Sequence, residues 1–362
     1  MLFARRQARP IGLDIGHDSI KMLQLSAPGK PLAVAAAARR ALPARVPSTT
    51  GAALADVLRQ MLVDAPFVGR RVAAALPSEI VHTRTLRVPI DADEAIDTSF
   101  AHADGLFPFD LNEATVRSLS TTLKHPGRAA FREVILFATR NCEVEAYLAE
   151  LRAAGLTIDS LQINPLAAYR AAERFVEFGE ILAMLDLGAA RSTLVIGRGS
   201  SVEFVRSIEI GGRHVEQAIG HKLGLDESEV RQLRRRLAQS ANRSSPRSDP
   251  VASAVFDATR GLAEHLAQQI AMCLRYHAIT FRGQRPTRLA VVGGQATDPH
   301  LQHALSCATA LQIEPINLLE GIDTRHMRPL DAEPPAGQWG ACLGMIPTAR
   351  VAGARPAIRA AA

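Results

Sequence analysis

The stretch IGLDIGHDSIKMLQLS, residues 11–26, has two apolar runs separated by a short turn containing Gly16 and Asp18. Apolar residues on both sides of such a turn predict a β-hairpin. A second stretch, ILAMLDLGAARSTLVIGRG at residues 181–199, has the same layout. Its Asp-Leu-Gly lies 172 positions after the Asp-Ile-Gly of the first stretch and repeats it. The sequence therefore predicts a fold with two similar halves.

Each hairpin alone leaves two interpretations open. Asp and Gly are favoured in any tight turn, so a single hairpin of this kind can be purely structural. Glycine also lets backbone N–H groups approach an anion, and a strand-end aspartate can hold Mg²⁺ through water. The repeat, together with the apolar strand and glycine pair of TRLAVVGGQATDP at 287–299, favours phosphates bound between two turns.

The residue types around the three glycine sites suit a nucleotide. Hydroxyl groups donate hydrogen bonds to phosphates, Lys21 supplies a positive charge, and a glycine pair lets adenosine lie against bare backbone. The candidate phosphate contacts are Asp14, Gly16, Ser19 and Lys21 on one side and Asp186, Gly188, Ser192 and Thr193 on the other. Gly293 and Gly294 are the candidate adenosine contacts, and Asp14 and Asp186 are the candidate magnesium ligands, through water.

The bulk composition is typical of a large α/β protein. A chain of 362 residues exceeds the size at which a single core stops growing, so two domains are expected. The four cysteines lie far apart without a CxxC pair, which indicates neither a zinc site nor a disulfide framework and fits a reducing cytosol. The first ten residues lack a signal-peptide core, and no apolar run reaches the roughly 18 residues of a membrane span.

The net charge of +6 raises nucleic acid as a partner. Only 4 of the 42 basic residues are lysine, which indicates a general compositional preference for arginine. Aromatic residues make up only 4% of the chain, too few to supply stacking platforms for bases. We therefore expect no nucleic-acid partner.

Other sequence motifs of nucleotide and catalytic sites are missing. The chain has no GxxxxGK[ST] and no GxGxxG between a strand and a helix, so the P-loop and dinucleotide-binding folds are not supported. It also has no GxSxG nucleophile elbow and no HExxH zinc motif. His300 and His303 share a helix face, but no third metal ligand lies nearby in the sequence.

Helical periodicity predicts helices at about 51–64, 251–281 and from Pro299. A further helix is predicted from Asn141, whose side chain is expected to cap it, with Gly155 ending it. The Phe107-Pro-Phe109 loop has two open interpretations, as the core of a small unit or as an exposed partner contact. The polar run at 239–250 is predicted to be mobile.

These motifs together resemble the actin-like ATPase superfamily, and within it the type IV pilus assembly protein PilM family, itself similar to the cell-division protein FtsA. The resemblance covers about residues 10–346 and includes the connecting segment IEIGGRHVEQAIGHKLGLDESEVRQLRR and the long helix LAEHLAQQIAMCLRYHAITF. It implies a duplicated actin-like (ribonuclease H-like) two-domain α/β fold with an FtsA/PilM-type inserted subdomain. The implied boundaries are domain I at 10–87 and 161–180, the inserted subdomain at 88–160, domain II at 181–335, a C-terminal helix returning to domain I at 336–346, and a disordered tail at 347–362.

The resemblance also implies ATP and Mg as cofactors and adds Gly211 and Gly212 to the nucleotide contacts. It implies a cytoplasmic protein, peripheral at the inner face of the membrane, that binds the N-terminal cytoplasmic peptide of a PilN-like protein and other pilus platform proteins. FtsA ends in an amphipathic membrane helix, and the tail of this chain has no such pattern, which favours the PilM branch without direct membrane insertion. The implied role is a nucleotide-responsive scaffold of a type IV pilus or related type II secretion machine.

Four residues depart from the family pattern. His17 and Arg191 replace small hydroxyl residues of the turns, Arg231 stands where the resemblance places an acid facing the ribose, and Gln295 follows the glycine pair. One hydrogen bond to a charged group is worth about 1.5–3 kcal/mol, so the loss of the ribose-facing acid is expected to weaken ATP binding. We therefore expect ATP binding with weak or absent hydrolysis. Two alternatives stay open: a small-molecule kinase of the same superfamily, whose catalytic base we cannot assign, and an adaptor that binds no nucleotide.

Overall fold

The computed structural model describes residues 8–42, 52–89, 105–120, 131–177, 179–240, 250–281, 285–328 and 336–347. The predicted mobile run lies mostly outside these ranges, and so does the predicted disordered tail after Pro347. The strands are β1 (Ile11–Ile15), β2 (Ser19–Leu25), β3 (Val34–Ala41), β4 (Arg71–Leu76), β5 (His82–Pro89), β6 (Ala114–Ser120), β7 (Phe131–Arg140), β8 (Thr157–Ile163), β9 (Ile181–Leu187), β10 (Ser192–Arg198), β11 (Ser201–Ile208), β12 (Arg288–Val292) and β13 (Gln312–Pro315).

The helices match the apolar periodicity of the sequence. They are α1 (Ala52–Asp64), α2 (Asn141–Ala153), α3 (Asn164–Ala172), α4 (Gly212–Leu223), α5 (Glu227–Ser240), α6 (Pro250–Phe281), α7 (Pro299–Thr309) and α8 (Gly340–Met345). The predictions for α1, α6 and α7 are confirmed within two residues. Among the described residues, no helix combines the length and apolar character that a bilayer crossing requires.

Two five-stranded sheets share one topology. The first has the order β3-β2-β1-β4-β8 and the second the order β11-β10-β9-β12-β13. In each, the first three strands are antiparallel neighbours and the last two are added in parallel. The predicted duplication is therefore confirmed at the level of strand order.

The register of the two hairpins is equivalent. Asp14 pairs with Lys21 across β1 and β2, and Asp186 pairs with Thr193 across β9 and β10. Each aspartate is the last residue but one of its strand. Both carboxylates therefore lie beside the turn that follows.

Two apolar clusters each form the core of one half, and a third joins the two halves. The first sheet packs against α1 and α2 through residues such as Leu58 and Tyr147. The second packs against α6 and α7 through residues such as Ile270 and Leu305. A central cluster, which includes Trp339, contains residues of both sheets together with α3. This shared core fixes the two hairpins relative to each other.

A third, antiparallel sheet has the order β5-β7-β6 and its own small core. Phe107 is buried in that core and stacks on Phe109, which supports the core interpretation of the Phe-Pro-Phe loop. The sheet thus spans residues 82–140, whereas α2 packs on the first sheet and β8 is one of its strands. The domain boundaries stay a proposal, and this arrangement favours an inserted unit that ends near residue 140.

The C-terminal helix α8 returns to the first half. It packs against α3 and β1, where a Cβ at Gly344 would clash with the carbonyl oxygen of Ala167 and one at Gly12 would clash with that of Cys342. Only glycine permits such close backbone approach. The helix therefore locks β1, the strand that carries Asp14, against α3.

Candidate functional site

The turns of the two hairpins line one cavity of about 1060 Å³ between the two sheets. Asp14 and Lys21 lie on one wall, Asp186 and Thr193 on the opposite wall, and Gly293 and Gly294 beyond them. A cavity of this size is at the upper end of the range for small-molecule and cofactor sites. The cavity thus brings together sequence-predicted residues of both halves, although Ser192, Gly211 and Gly212 do not line it.

The first turn is organised around the Asp14 carboxylate. The Gly16 amide donates to the Ser19 carbonyl at 3.0 Å and closes the turn. Lys21 Nζ lies 2.9 Å from Asp14 Oδ2, and Asn164 Nδ2 donates to Asp14 Oδ1 at 2.6 Å. Both oxygens of the buried aspartate are therefore partnered and its orientation is fixed.

Asn164 is a site residue that the sequence reasoning missed. It is the first residue of α3, which begins directly after β8 at the edge of the first sheet. Its side chain reaches Asp14 across 150 residues of sequence. The only signal was an Asn-Pro pair between an apolar strand and a helix, which is typical of many helix starts.

Lys21 keeps its charge inside the cavity. Burial is the largest single influence and lowers its pKa, but the charge and hydrogen bond of Asp14 together outweigh it, so the pKa of Lys21 is raised above its ordinary value. A cation that stays protonated at all physiological pH values therefore faces the cavity.

Asp186 has a contrasting environment. Burial raises its pKa, the negative charge of Asp14 raises it further, and Lys21 offsets part of the effect, so the pKa of Asp186 is about 6. A cation placed between the two aspartates would relieve their repulsion.

Gly293 is required beside Asp186. Its φ of +93° is in the range that favours glycine, and a Cβ there would clash with Asp186 Oδ1 and the Leu187 carbonyl. Gly294, in contrast, has open space where a Cβ would stand and lines the cavity directly. The first glycine positions the aspartate, and the second leaves a bare surface.

The predicted hydroxyl groups divide into two sets. Ser19 and Thr193 line the cavity, and the Thr193 hydroxyl lies 3.1 Å from that of Ser207. Ser192 is fully buried and donates to the Ile210 carbonyl at 2.6 Å. Of the adjacent pair in β10, Thr193 therefore faces the cavity and Ser192 supports the turn from behind.

Gly211 and Gly212 also lie behind the second turn. The Gly212 amide donates to the Gly188 carbonyl at 3.0 Å, and a Cβ at Gly211 would come within 2.5 Å of the Ala189 carbonyl oxygen. The pair allows α4 to begin directly against the turn. The two glycines therefore support the turn residues Gly188 and Ala189, and their predicted contact with the nucleotide stays a prediction.

His17 and Arg191, the two turn residues that depart from the family pattern, take part in contacts between the two halves. Arg191 Nη1 donates to the Ser78 carbonyl at 2.9 Å, so the second turn contacts the loop after β4. Arg213, at the start of α4, contacts the His17 ring and lies 3.8 Å from Asp18 Oδ1 of the first turn. These contacts bridge the mouth of the cavity.

Beyond the glycine pair, an ionic cluster lines the cavity. Glu216 of α4 pairs with Arg231 and Arg234 of α5, at 3.4 Å each. Arg234 also pairs with Asp298 at 3.0 Å and contacts Gln295. The sequence reasoning missed Glu216 because an acid on an amphipathic helix carries no motif signal.

The charges of the cavity suit a polyanion with a cation. The lining cations are Lys21, Arg39, Arg191, Arg231, Arg234 and Arg235, and the lining carboxylates are Asp14, Asp18, Asp186, Glu216 and Asp298. No group of three or more His, Cys, Asp or Glu side chains is placed to bind a metal directly within the described ranges. Two carboxylates alone fit Mg²⁺ that keeps most of its waters and takes phosphate oxygens as further ligands.

Two equivalent halves with matched acidic turns on one cleft define an actin-like protein. Similarity to solved structures supports the same fold. A PilM–PilN type IV pilus biogenesis complex matches with a TM-score of 0.76 and 24% identity, covering 94% of this chain and 98% of that one. The ethanolamine utilization protein EutJ from Carboxydothermus hydrogenoformans matches with a TM-score of 0.56 and 13% identity, covering 94% and 89%. The predicted actin-like fold is therefore confirmed.

A family model described as type IV pilus assembly protein PilM matches residues 12–333. The chain belongs to this family. The family assignment supports a role in type IV pilus assembly and confirms the resemblance that the two hairpins and the glycine pair carried.

Proposed function

We propose that this protein is a cytoplasmic, ATP-binding scaffold of the inner-membrane platform of a type IV pilus machine. One observation carries the nucleotide part of the proposal: Asp14 and Asp186, equivalent in the two halves, line the same cavity. A structural hairpin has no need of a buried carboxylate facing another across a cleft, because the repulsion costs stability.

The assignment of groups follows the cavity walls. The phosphates would lie between the two turns, near Lys21 and the Thr193 hydroxyl, and Mg²⁺ would be held through water by the two aspartates. Magnesium would supply charge neutralisation of the phosphates. The adenosine would lie against Gly294, where no side chain covers the backbone. The contacts on the first wall are Asp14, Gly16, Ser19 and Lys21, and those on the second are Asp186, Gly188 and Thr193.

The partner part of the proposal rests on family membership and on the matched complex. The similar structure is a complex of PilM with PilN, and this chain covers 98% of the matched chain. We therefore propose that a PilN-like inner-membrane protein holds this chain at the membrane through a cytoplasmic N-terminal peptide. Other platform proteins are expected to join the same assembly.

A nucleotide would act through the shape of the cleft. The two halves meet at the cavity mouth through Arg191 and Arg213, and phosphates bound there would compete for both guanidinium groups. A nucleotide can change the affinity for the partner only as far as its own affinity differs between two shapes of the cleft. The scaffold is thus expected to bind its partner with nucleotide-dependent strength.

Calorimetry tests both parts. The full chain is titrated with MgATP, and then, with and without MgATP, with a PilN-like N-terminal peptide and a scrambled control. We expect saturable MgATP binding, specific peptide binding, and little phosphate release in the same samples. No heat with MgATP would contradict the nucleotide proposal, and equal heats with both peptides would contradict the partner proposal.

A second candidate, an adaptor without nucleotide, is favoured by one observation. The arginine contacts across the cavity mouth, from Arg191 to Ser78 and from Arg213 to Asp18, connect the halves directly through protein groups. Such an adaptor would bind the peptide with the same affinity whether or not MgATP is present, and would show no heat with MgATP.

A further inference from the structure

We propose that an exposed apolar stripe on the C-terminal half of α6 docks an acidic, amphipathic helix of a partner protein. The stripe consists of Met272, Tyr276 and Ile279, which are 47%, 45% and 75% exposed. None of the three lines the nucleotide cavity. The inference therefore stands independently of nucleotide binding.

The stripe lies on the face of α6 that points away from the core. Spacings of four and three residues place its members on one helix face, along about 10 Å of the helix. On the buried face of the same helix, Ile270 and Phe281 belong to the core of the second half. A surface helix normally presents polar residues on the face away from its core, so the packing of this protein does not explain the stripe.

Arginines flank the stripe on both sides. Arg275 is exposed on the same helix, and it lies on the opposite side of Met272 from Cys273. Burial raises the pKa of the Cys273 thiol and the charge of Arg206 offsets part of that rise, so the exposed Arg206 of β11 lies beside Cys273. In the ranges that the structure describes, neither arginine has an ion-pair partner.

The acids next to the stripe are buried and already face cations. Glu203 lies 2.8 Å from His277 Nε2, on the buried side of α6. Glu133 of the inserted sheet pairs with Arg87 at 2.9 Å and accepts from the Tyr276 hydroxyl at 3.4 Å. Both acids are 3% exposed, so the charge that the stripe presents to solvent is positive.

An acidic amphipathic helix matches this surface in shape and charge. Its apolar residues would pack on Met272 and Ile279, as one helix packs against another. Acidic residues on its two flanks would pair with Arg206 and Arg275. Methionine, aromatic residues and arginine are the residue types that are enriched in protein–protein interfaces, which supports a protein as the occupant.

Two other occupants fit less well. Attachment to an anionic membrane usually takes a cluster of roughly four to eight basic residues, whereas two unpaired arginines flank the stripe. A second copy that paired stripe with stripe would place arginines against arginines, which is unfavourable. The other large apolar residues that the described ranges expose are separate valines and form no second stripe: Val63, Val68 and Val251.

The test is fluorescence anisotropy with the full chain and two labelled synthetic peptides. One peptide has leucines at helical spacing with glutamates on both flanks, and the other has lysines in place of the glutamates. We expect the glutamate peptide alone to bind, with an affinity that falls as salt is added. Ile279→Glu should weaken it roughly tenfold or more, because a buried apolar contact is replaced by a repelling charge. Val63→Glu, at an equally exposed position on α1, is the matched control and should bind normally.

Reversing the two charges gives the sharper result. The double variant Arg206→Glu, Arg275→Glu should prefer the lysine peptide, by on the order of tenfold at low salt. Equal binding of both peptides by the unmodified chain, or unaltered binding in Ile279→Glu, would overturn the inference. Binding to phosphatidylserine vesicles, or a dimer in sedimentation, that Ile279→Glu abolishes would assign the stripe to a membrane or a second copy and overturn it as well. MgATP binding should be unchanged in all these variants, so failure here leaves the proposed function standing.

Discussion

Replacing Asp14 and Asp186 with asparagine is predicted to change stability in opposite directions, although the two aspartates are structural equivalents. Asp14 accepts from Lys21 at 2.9 Å and from Asn164 at 2.6 Å, so its charge has partners. Asp186 has a pKa of about 6 instead of the ordinary 3.8, because burial and the charge of Asp14 both disfavour its ionised form.

The expected change in the free energy of unfolding for Asp186→Asn follows from the linkage between the pKa of Asp186 and stability. A pKa that is raised from 3.8 to about 6 means that the native state prefers the protonated carboxyl. This contribution to stability is fully present below the unfolded-state pKa and is lost as the pH rises through about 6. About two pKa units correspond to at most about 3 kcal/mol of cost at pH 7.5. Asp186→Asn, neutral at every pH, removes that cost, and the gain should vanish near pH 4.

The expected change in the free energy of unfolding for Asp14→Asn follows from the ion pair of Asp14 with Lys21. Removing the carboxylate leaves a buried ammonium group without its anionic partner, which typically costs about 3–5 kcal/mol. Only 12% of the Lys21 side chain is exposed, so most of it is buried in the cavity wall. Asp14→Asn is therefore expected to be clearly destabilised at pH 7.5.

The assay is thermal unfolding from pH 4 to pH 8, without nucleotide or Mg²⁺. At about 2–4 °C per kcal/mol, Asp186→Asn should raise the Tm at pH 7.5 by several degrees and Asp14→Asn should lower it by more. Glu264→Gln, which removes an exposed ion pair with Arg260, is the control and should change the free energy of unfolding by less than about 0.5 kcal/mol. A lower Tm for Asp186→Asn at pH 7.5, or a gain unaffected by pH, would refute the reasoning.

Three further predictions follow from the cavity and its supports. Gly294→Val should leave the Tm almost unchanged, because the added Cβ meets open space, and should abolish MgATP binding in calorimetry. Arg213→Ala removes the contact with Asp18 and should speed amide hydrogen exchange in the first turn; unchanged exchange would mean that the contact does not hold the cleft. Gly344→Ala should lower the free energy of unfolding by about 1–3 kcal/mol or more, because its Cβ would clash with the Ala167 carbonyl, and a Tm equal to that of the unmodified chain would exclude this packing.

Local patterns were sufficient to predict the framework. The two hairpins follow from alternating apolar residues around short turns, and Gly155 ends α2 with a φ of +77° as its position predicted. The pairing of Asp14 with Asp186 across one cavity followed from the repeat, because equivalent halves place equivalent residues on facing surfaces. These features depend on short stretches of chain.

Features that depend on tertiary partners were not predictable in the same way. The predicted cap by Asn141 was wrong: Arg140 is the N-cap residue, no side chain caps the helix, and Asn141 Oδ1 accepts from the Thr115 hydroxyl of β6 instead. Asn164 and Glu216 reach the site through packing of α3 and α4, which no local pattern encodes. The alternation of side chains along a strand was a usable signal that only one of Ser192 and its neighbour could face the cavity.

The most direct test of the account is a crystal structure of the full chain with Mg²⁺ and a non-hydrolysable ATP analogue. We expect the phosphates between the turn after Asp14 and the turn after Asp186, with a metal-bound water within hydrogen-bond distance of each carboxylate. A nucleotide bound elsewhere on the protein, with the cleft between these two aspartates empty, would contradict it.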